Sequence, residues 1–198
     1  NCYEWFQLKS QKRSIGTSLP DGAYAKMAEA IELDRTPNLF ALHYNDDTWR
    51  VRNLLLVPRF TYTLSAIKRR EPLRSGAERH GWVGCSILLS EIPPEARIRI
   101  VVDGDVRPAS EVRSEYRKLH KLSGQNVEAR GWTLDVLKIV HALGKKGFSL
   151  QEIYEFEPDL SRLHPANQNV QPKIRQQLQE LRKMGLLEFL GRGKYRLR

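Results

Sequence analysis

Apolar and polar side chains alternate strictly over Phe6-Gln7-Leu8-Lys9-Ser10 near the start of the chain. Alternation with a period of two is typical of a β-strand, because successive side chains of a strand point to opposite faces of the sheet. The pattern predicts that Phe6 and Leu8 enter the core while Gln7 and Lys9 share the opposite, solvent-facing side. One face of this strand would then present an amide oxygen and an ammonium group two residues apart.

The rest of the first 126 residues alternates strand patterns with helix patterns. Asp21 is predicted to cap a helix that buries Met27 and Ile31 at helical spacing. Asn45-Asp46-Asp47 is predicted to be the turn of a hairpin between two apolar strands. Further apolar runs of strand length lie at 82–89 and 97–102, and a charged segment with helical periodicity lies at 109–122. The mixture predicts an α/β (α+β) domain over residues 1–126.

From Arg130 onward the apolar positions follow a helical period. Thr133 is predicted to cap a first helix, and the spacing of Ser149 and Glu152 predicts a capping box that opens a second. A third helix is predicted over 172–184, with its apolar residues inward and its cations and amides on the exposed sides. Two short apolar strands then flank Gly191-Arg192-Gly193-Lys194. Three helices followed by a hairpin predict a winged helix-turn-helix domain over residues 127–198.

In a winged helix the third helix lies in the major groove, where Gln and Arg match the edges of adenine and guanine. The hairpin of such a domain lies against phosphates or in the minor groove. A winged helix used only for protein contacts is the alternative, although a strongly cationic hairpin has little use on a neutral partner.

The charge of the chain narrows the choice of partner. Lys and Arg number 33 against 23 for Asp and Glu, which gives a net charge of +10 and a pI near 9.8. A polyanion is the natural partner of such a protein, and nucleic acid is favoured. A membrane is disfavoured because the chain has neither a run of about 18 apolar residues nor an amphipathic helix with a continuous cationic face. The arginines and His80 between 69 and 80 suit phosphate contacts, and a solvated basic loop is the alternative.

Cysteine usage and the first residues bear on location and metals. Only Cys2 and Cys85 are present, and no signal-peptide pattern opens the chain, so a reducing cytoplasmic location is expected. The chain starts without Met and enters a strand at once, as a chain entered midway would. Cys2 would then be the last ligand of a Zn²⁺ site whose other cysteines lie upstream, and a simple buried or surface thiol is the alternative.

Short motifs run from one end of the chain to the other. They are Cys2 with Phe6-Gln7-Leu8-Lys9-Ser10, Asp21-Gly22-Ala23-Tyr24, Gly81-Trp82-Val83-Gly84-Cys85, Val102-Asp103-Gly104, Arg130-Gly131-Trp132-Thr133, Lys173-Ile174-Arg175-Gln176-Gln177-Leu178 and Gly191-Arg192-Gly193-Lys194-Tyr195. As an ordered series they resemble the Dam-replacing family of restriction endonucleases, the DpnI type, which cut GATC sites carrying N6-methyladenine.

The resemblance implies a Mg²⁺-dependent nuclease core of the PD-(D/E)xK kind, a small zinc element, and a winged helix that also recognises methylated DNA. By resemblance, Gln7 takes the acidic metal-ligand position and Lys9 that of the catalytic lysine. Cys2 takes the fourth zinc-ligand position. Trp82 matches an aromatic residue that reaches the DNA beside the methylated base, as a flat apolar surface can.

The sequence departs from the family pattern at two points. The catalytic Asp of the family falls a few residues before the cysteine that Cys2 matches and so outside this chain. Gln7 replaces a carboxylate with a neutral amide, whose carbonyl oxygen can still ligate Mg²⁺. We expect the complete protein to be a type II endonuclease and the 198 residues alone not to cut. A methyl-DNA reader or winged-helix regulator on an inactivated nuclease fold is the alternative.

The expected partner is adenine-methylated double-stranded DNA, bound by a monomer or by a transient dimer. The residues predicted to contact it come from both domains. They are Arg13, Arg79, Trp82, Asn169, Lys173, Arg175, Gln176, Gln177, Arg192, Lys194 and Tyr195.

Overall fold

The computed structural model describes residues 5–198, which divide into two units, residues 5–120 and 121–198. Each unit combines helices with a sheet, which confirms the expected mixed α+β class. Within residues 5–198, no helix has the length and apolar character needed to cross a membrane.

Eight strands and two α-helices make up the described part of the first unit. They are β1 (Phe6–Gln11), β2 (Ser18–Ala23), α1 (Tyr24–Glu32), β3 (Asn38–Tyr44), β4 (Val51–Val57), β5 (Ile67–Arg69), β6 (Gly84–Leu88), β7 (Ile98–Val102), β8 (Asp105–Val106) and α2 (Ala109–His120). One sheet has the order β1-β3-β4-β7-β8, and the other has the order β2-β6-β5. β1 runs parallel to β3, whereas β3 and β4 form the predicted antiparallel hairpin.

The prediction for the faces of β1 is wrong. Phe6 and Leu8 are 67% and 55% exposed, and Gln7 and Lys9 lie half-buried on the opposite face. The reason is the pairing with β3, which places Lys9 beside the fully buried Ala41 on the core side of the sheet. The alternation of a strand divides its side chains into two sets but does not say which set faces the core. If the strand presents its other face, all of its side chains change sides together.

Asp21 does not cap α1. It lies within β2, and α1 begins after Ala23, which makes no side-chain capping bond. The carboxylate of Asp21 instead accepts hydrogen bonds from the side chains of Gln7 and Lys9. The helix itself is confirmed, since Met27 and Ile31 are buried as predicted.

The described second unit contains four α-helices and one three-stranded sheet. The elements are α3 (Val127–Ala142), β9 (Gly147–Ser149), α4 (Leu150–Tyr154), α5 (Glu157–Leu163), α6 (Val170–Lys183), β10 (Leu187–Gly191) and β11 (Lys194–Leu197). β10 and β11 form the predicted hairpin, and β9 pairs with β11 on its other side. The core includes Trp132, Leu137, Ile153, Ile174, Leu178 and Leu181.

The ends of the helices in this unit show where local patterns succeed and fail. The capping box is confirmed, because the side chain of Ser149 accepts from the backbone of Glu152 and the Glu152 carboxylate accepts in return. Thr133 lies buried inside α3, whose actual cap is Asn126. The helix α5 and the strand β9 were not predicted. Pro158 stands in the first turn of α5, where its missing N–H costs nothing.

Candidate functional site

Two regions hold the residues that the sequence marks for chemistry and binding. In the first unit they are Gln7, Lys9 and Asp21, which we call the β1 site. In the second unit they lie on α6 and at the tip of the C-terminal hairpin, β10 and β11.

A single carboxylate oxygen links the three side chains of the β1 site. Gln7 Nε2 donates to Asp21 Oδ1 at 2.8 Å, and Lys9 Nζ donates to the same oxygen at 2.7 Å. The Asp21 side chain is only 9% exposed, so this ion pair is shielded from water. The structure therefore brings Gln7 and Lys9 together, as alternation along one strand predicts, but through a partner that sequence analysis missed.

The orientation of the Gln7 amide follows from the chemistry of its neighbour. An ionised carboxylate only accepts hydrogen bonds, so the amide must turn its nitrogen toward Asp21. Among residues 5–198, the carbonyl oxygen of Gln7 accepts no hydrogen bond from the protein. It is the atom of this side chain that is available to a cation or to water.

The electrostatics of the β1 site keep Asp21 ionised and its other neighbours neutral. Burial raises the pKa of Asp21, but the hydrogen bonds from Lys9 and Gln7 and the charge of Lys9 lower it below its ordinary value. Burial, with the charge of Asp21 as a further cause, raises the pKa values of Tyr62 and Cys85. Cys85 is a fully buried, free thiol that pairs across β2 and β6 with Asp21, so it offers no reactive thiolate.

One atom of the β1 site, the Gln7 carbonyl oxygen, is of the kind that ligates a hard cation. Mg²⁺ prefers oxygen ligands and uses few protein groups, because it retains several waters and takes phosphate oxygens from its substrate. The Gln7 carbonyl oxygen is a ligand of this kind. No cluster of three or more His, Cys, Asp and Glu side chains suited to a metal occurs in the part of the chain that the structure describes. Cys2, on which the Zn²⁺ prediction rests, lies outside the described residues.

The loop between β5 and β6 holds Arg79 and Trp82. Its ends are closed by Leu73 N donating to Trp82 O and by Gly81 N donating to Leu73 O, both at 3.0 Å. The Trp82 ring lies over Gly84, where a Cβ would come within 2.7 Å of it, so only glycine fits beneath the indole. Arg79 is exposed and Trp82 is half-buried. The loop leads into β6, which begins at Gly84. The next residue, Cys85, pairs with Asp21 of β2.

Arg13 lies exposed in the segment that follows β1. Its side chain is free to reach a ligand on the outside of the first unit. The structure thus agrees with an accessible cation at this position, and its contact with DNA remains a prediction.

The helix α6 presents only part of its predicted polar set to solvent. Arg175 and Gln176 are exposed and Lys173 is half-buried, while Asn169 is exposed just before the helix. Gln177 was expected on an exposed side, but it is only 3% exposed and accepts a hydrogen bond from Thr133 Oγ1 at 2.7 Å. The reason is helical spacing, since Gln177 lies three residues after the buried Ile174.

The tip of the C-terminal hairpin displays cations. Gly191, Arg192 and Gly193 all have positive φ, at 89°, 48° and 72°. Two glycines make this left-handed turn cheap, because they lack the Cβ that would clash. Arg192 and Lys194 are exposed, and neither forms an ion pair within the described second unit. The hairpin can therefore offer two free positive charges to an anion.

Tyr195, which was predicted to contact DNA, is buried within the second unit. Its side chain is 6% exposed, and its ring packs against Phe148 and Phe189 at centroid distances of 5.7 Å and 5.2 Å. Alternation along β11 is the cause, since the cationic neighbours Lys194 and Arg196 take the outer face. Tyr195 therefore supports the hairpin through its ring packing, and its contact with DNA remains a prediction.

A polar cluster inside the second unit also escaped sequence analysis. His164 Nε2 lies 2.9 Å from Asp135 Oδ2, and its ring stacks on Trp132 with the centroids 4.0 Å apart. Gly131 leaves room for the His164 ring, which a Cβ would approach to 3.6 Å. The contacts link the end of α5 to α3, so the cluster is a structural one. The one available signal was the position of His164 directly after α5, and that helix was not predicted.

The described chain thus combines a mixed α+β unit that holds the β1 site with a unit of four helices and a cationic hairpin tip. Residues 1–125 match the Dam-replacing family, and residues 128–197 match the Dam-replacing HTH domain. The chain belongs to the Dam-replacing family, as its ordered motifs predict. Membership indicates a methylation-dependent restriction enzyme with an HTH domain, for which DNA is the partner.

Proposed function

We propose that the complete protein is a type II restriction endonuclease that uses Mg²⁺ to hydrolyse DNA phosphodiesters at GATC sites containing N6-methyladenine. Residues 1–126 form its PD-(D/E)xK nuclease domain, and residues 127–198 form its winged-helix domain. The observation that carries the proposal is the β1 site. Gln7 and Lys9 project together from one face of β1 in a chain of the Dam-replacing family.

The side chains of the β1 site have separate tasks in hydrolysis. Mg²⁺, when bound, supplies Lewis-acid stabilisation of the phosphoryl oxygens and a more acidic water. Gln7 would hold it through the carbonyl oxygen. Lys9 donates a hydrogen bond that orients the attacking water, and its fixed charge stabilises the negative charge that grows on the phosphate in the transition state. The water oxygen bonds to phosphorus as the P–O3′ bond breaks, O3′ takes up a proton to leave as a 3′-hydroxyl, and the other product end keeps a 5′-phosphate.

Binding is assigned to the exposed polar residues of both units. Lys173, Arg175 and Gln176 on α6 suit the major groove, where amide and guanidinium groups match base edges. Arg192 and Lys194 at the hairpin tip suit phosphates, which give affinity without sequence information. In the first unit, Trp82 supplies a flat apolar surface for the methylated base. Arg13, Arg79 and Asn169 complete the set as further backbone contacts.

The test is digestion of plasmid by the complete protein that contains this chain. Dam-methylated and unmethylated plasmids are incubated with Mg²⁺, and a matched pair of reactions receives EDTA. Cutting confined to the methylated plasmid with Mg²⁺ supports the proposal in full. Equal cutting of both plasmids contradicts the methylation dependence, and cutting that survives EDTA contradicts the role of the cation.

A second function is favoured by one observation, the neutral amide at position 7. Loss of a carboxylate from a metal site lowers its negative charge by one, as expected of a nuclease fold kept as a methyl-DNA reader. A gel-shift assay on the same two DNAs separates the functions. Tighter binding to the methylated duplex without any cutting supports the reader, whereas the absence of salt-dependent DNA affinity contradicts both.

A further inference from the structure

We infer that Asp21 is the positioning residue of the β1 site, which turns the Gln7 carbonyl oxygen toward the cation and holds the Lys9 ammonium beside the scissile phosphate. The inference rests on the proposed nuclease function and extends it to a residue outside the Gln-x-Lys pattern. It also explains how a neutral amide can serve at position 7.

The first argument is the geometry of one oxygen atom. Asp21 Oδ1 accepts from Gln7 at 2.8 Å and from Lys9 at 2.7 Å, so both side chains are tethered to the same point. That point is itself rigid, because Asp21 pairs in β2 with Cys85 of β6, in a different sheet from β1. A rigid second partner that fixes two side chains is what a preorganised site requires.

The second argument concerns the identity of residue 7. A carboxylate in place of the amide would set one of its oxygens about where Gln7 Nε2 stands, 2.8 Å from the ionised Asp21 oxygen. Two carboxylate oxygens at such a distance are both acceptors, so the hydrogen bond that Gln7 Nε2 donates would be lost. The amide keeps this bond because it offers a donor on one side and an acceptor on the other. Gln7 and Asp21 are therefore complementary, with one negative charge between them.

The third argument is that no alternative task for Asp21 is visible in the described structure. It does not cap α1, whose N-cap Ala23 makes no side-chain bond. A carboxylate that is 9% exposed needs compensating partners, and beside the backbone of Gly22 its side-chain partners are the two residues that carry the proposed chemistry.

The experiment exchanges the donor and the acceptor. Asp21→Asn, Gln7→Glu and the double variant Gln7→Glu/Asp21→Asn are made in the complete protein, with Asp46→Asn as the matched control. Asp46 is an exposed aspartate that pairs only loosely with Lys12, at 3.8 Å. Three quantities are measured for each: the single-turnover rate of cleavage of methylated DNA, the half-saturating Mg²⁺ concentration, and the Ca²⁺ affinity by calorimetry in the presence of uncut DNA.

The expected results separate positioning from mere stability. Asp21→Asn should lower the cleavage rate or raise the Mg²⁺ requirement by about 10- to 100-fold, the range seen for residues that orient a ligand. DNA affinity should stay within about twofold, because binding is assigned elsewhere. Gln7→Glu alone should also lose activity. The double variant restores a donor facing an acceptor, so it should be at least about 10-fold faster than the product of the single effects predicts.

Three results would overturn the inference. They are wild-type cleavage with an unchanged Mg²⁺ requirement in Asp21→Asn, single effects that simply multiply in the double variant, and an equal loss in Asp46→Asn. If Asp21→Asn does not fold, the double variant decides, since it keeps the hydrogen bond with its direction reversed. A folded double variant as slow as Gln7→Glu counts against the inference.

The Ca²⁺ measurement keeps this result distinct from the fate of the proposed function. If the wild-type protein does not cleave, the nuclease proposal fails, yet Ca²⁺ affinity still reports on the site. A loss of Ca²⁺ affinity in Asp21→Asn but not in Asp46→Asn supports positioning by Asp21. Equal Ca²⁺ affinity in all variants contradicts it.

Discussion

The two units use positive charge in different ways. In the first unit, Lys9 is bound to the shielded carboxylate of Asp21. In the described second unit, Arg192 and Lys194 stand exposed at a turn and have no ion-pair partner. A charge that must act at one point on a substrate needs a fixed geometry, whereas charges that attract a polyanion work best when solvent and counterions reach them freely. The charge of Lys9 in the first unit therefore depends on a fixed position. The charges of Arg192 and Lys194 in the second unit depend instead on being accessible.

The largest expected effect comes from removing the positioned charge. Lys9→Ala in the complete protein should lower cleavage of methylated DNA by at least about 10³-fold, because the transition-state charge loses its fixed partner. DNA affinity should remain within about twofold. Single-turnover digestion and gel shifts measure the two quantities. Lys12→Ala, which removes an exposed cation just after β1, is the control, and near-normal cutting by Lys9→Ala would remove Lys9 from the mechanism.

The next effect comes from removing the available charges. Arg192→Ala with Lys194→Ala should weaken DNA binding and reduce the slope of log affinity against log salt by about 2, if each side chain neutralises one phosphate. Affinity is measured by fluorescence anisotropy over a range of salt concentrations. Arg162→Ala with Lys183→Ala is the control, because these cations are already paired with Asp159 and Glu180. An unchanged slope for the hairpin variant would show that this turn does not lie on DNA.

Two neighbouring glutamines sharpen the comparison within a single helix. Gln177→Ala should lower the free energy of unfolding by about 1–3 kcal/mol, because it removes a buried side chain whose oxygen is the nearest acceptor of the Thr133 hydroxyl, at 2.7 Å. Gln176→Ala, one residue away but exposed, should change it by less than about 0.5 kcal/mol and weaken DNA binding instead. Urea denaturation and gel shifts measure the two. A reversed pattern would mean that Gln177, not Gln176, faces the DNA.

The smallest expected effect concerns the cap of α4, where Ser149 pairs with Lys194 of β11. Ser149→Ala should cost about 1 kcal/mol in the free energy of unfolding. The Lys145 ammonium, followed by hydrogen bonds from Ser149, lowers the pKa of Glu152 from 4.5 to about 2. A lowered pKa in the folded state means that the stabilisation is complete above pH 4.5 and is lost as the pH falls toward about 2. Glu152→Gln should therefore weaken the dependence of the free energy of unfolding on pH, measured by urea denaturation. The same pH dependence in the wild-type protein and in Glu152→Gln would contradict this prediction.

The sequence by itself determined the features that depend on residues three or four positions apart. The capping box of Ser149 and Glu152, the inward row of Ile174, Leu178 and Leu181, and the turn built on two glycines all follow from local geometry. The ordered motifs also predicted the family, because they are spread over both units. For these elements the folded state needs no information from distant parts of the chain.

Only the tertiary structure decided which of two equivalent local choices is made. Alternation in β1 defines two faces, but the pairing of Lys9 with Ala41 settles that the polar face is the inner one. The sequence position of Asp21 is typical of a helix cap. In the structure Asp21 lies in β2, in a different sheet from β1, and its carboxylate accepts hydrogen bonds from Gln7 and Lys9. Burial and charge pairing depend on what the fold places opposite a side chain, and a residue 12 positions away in sequence carries no local signal of that.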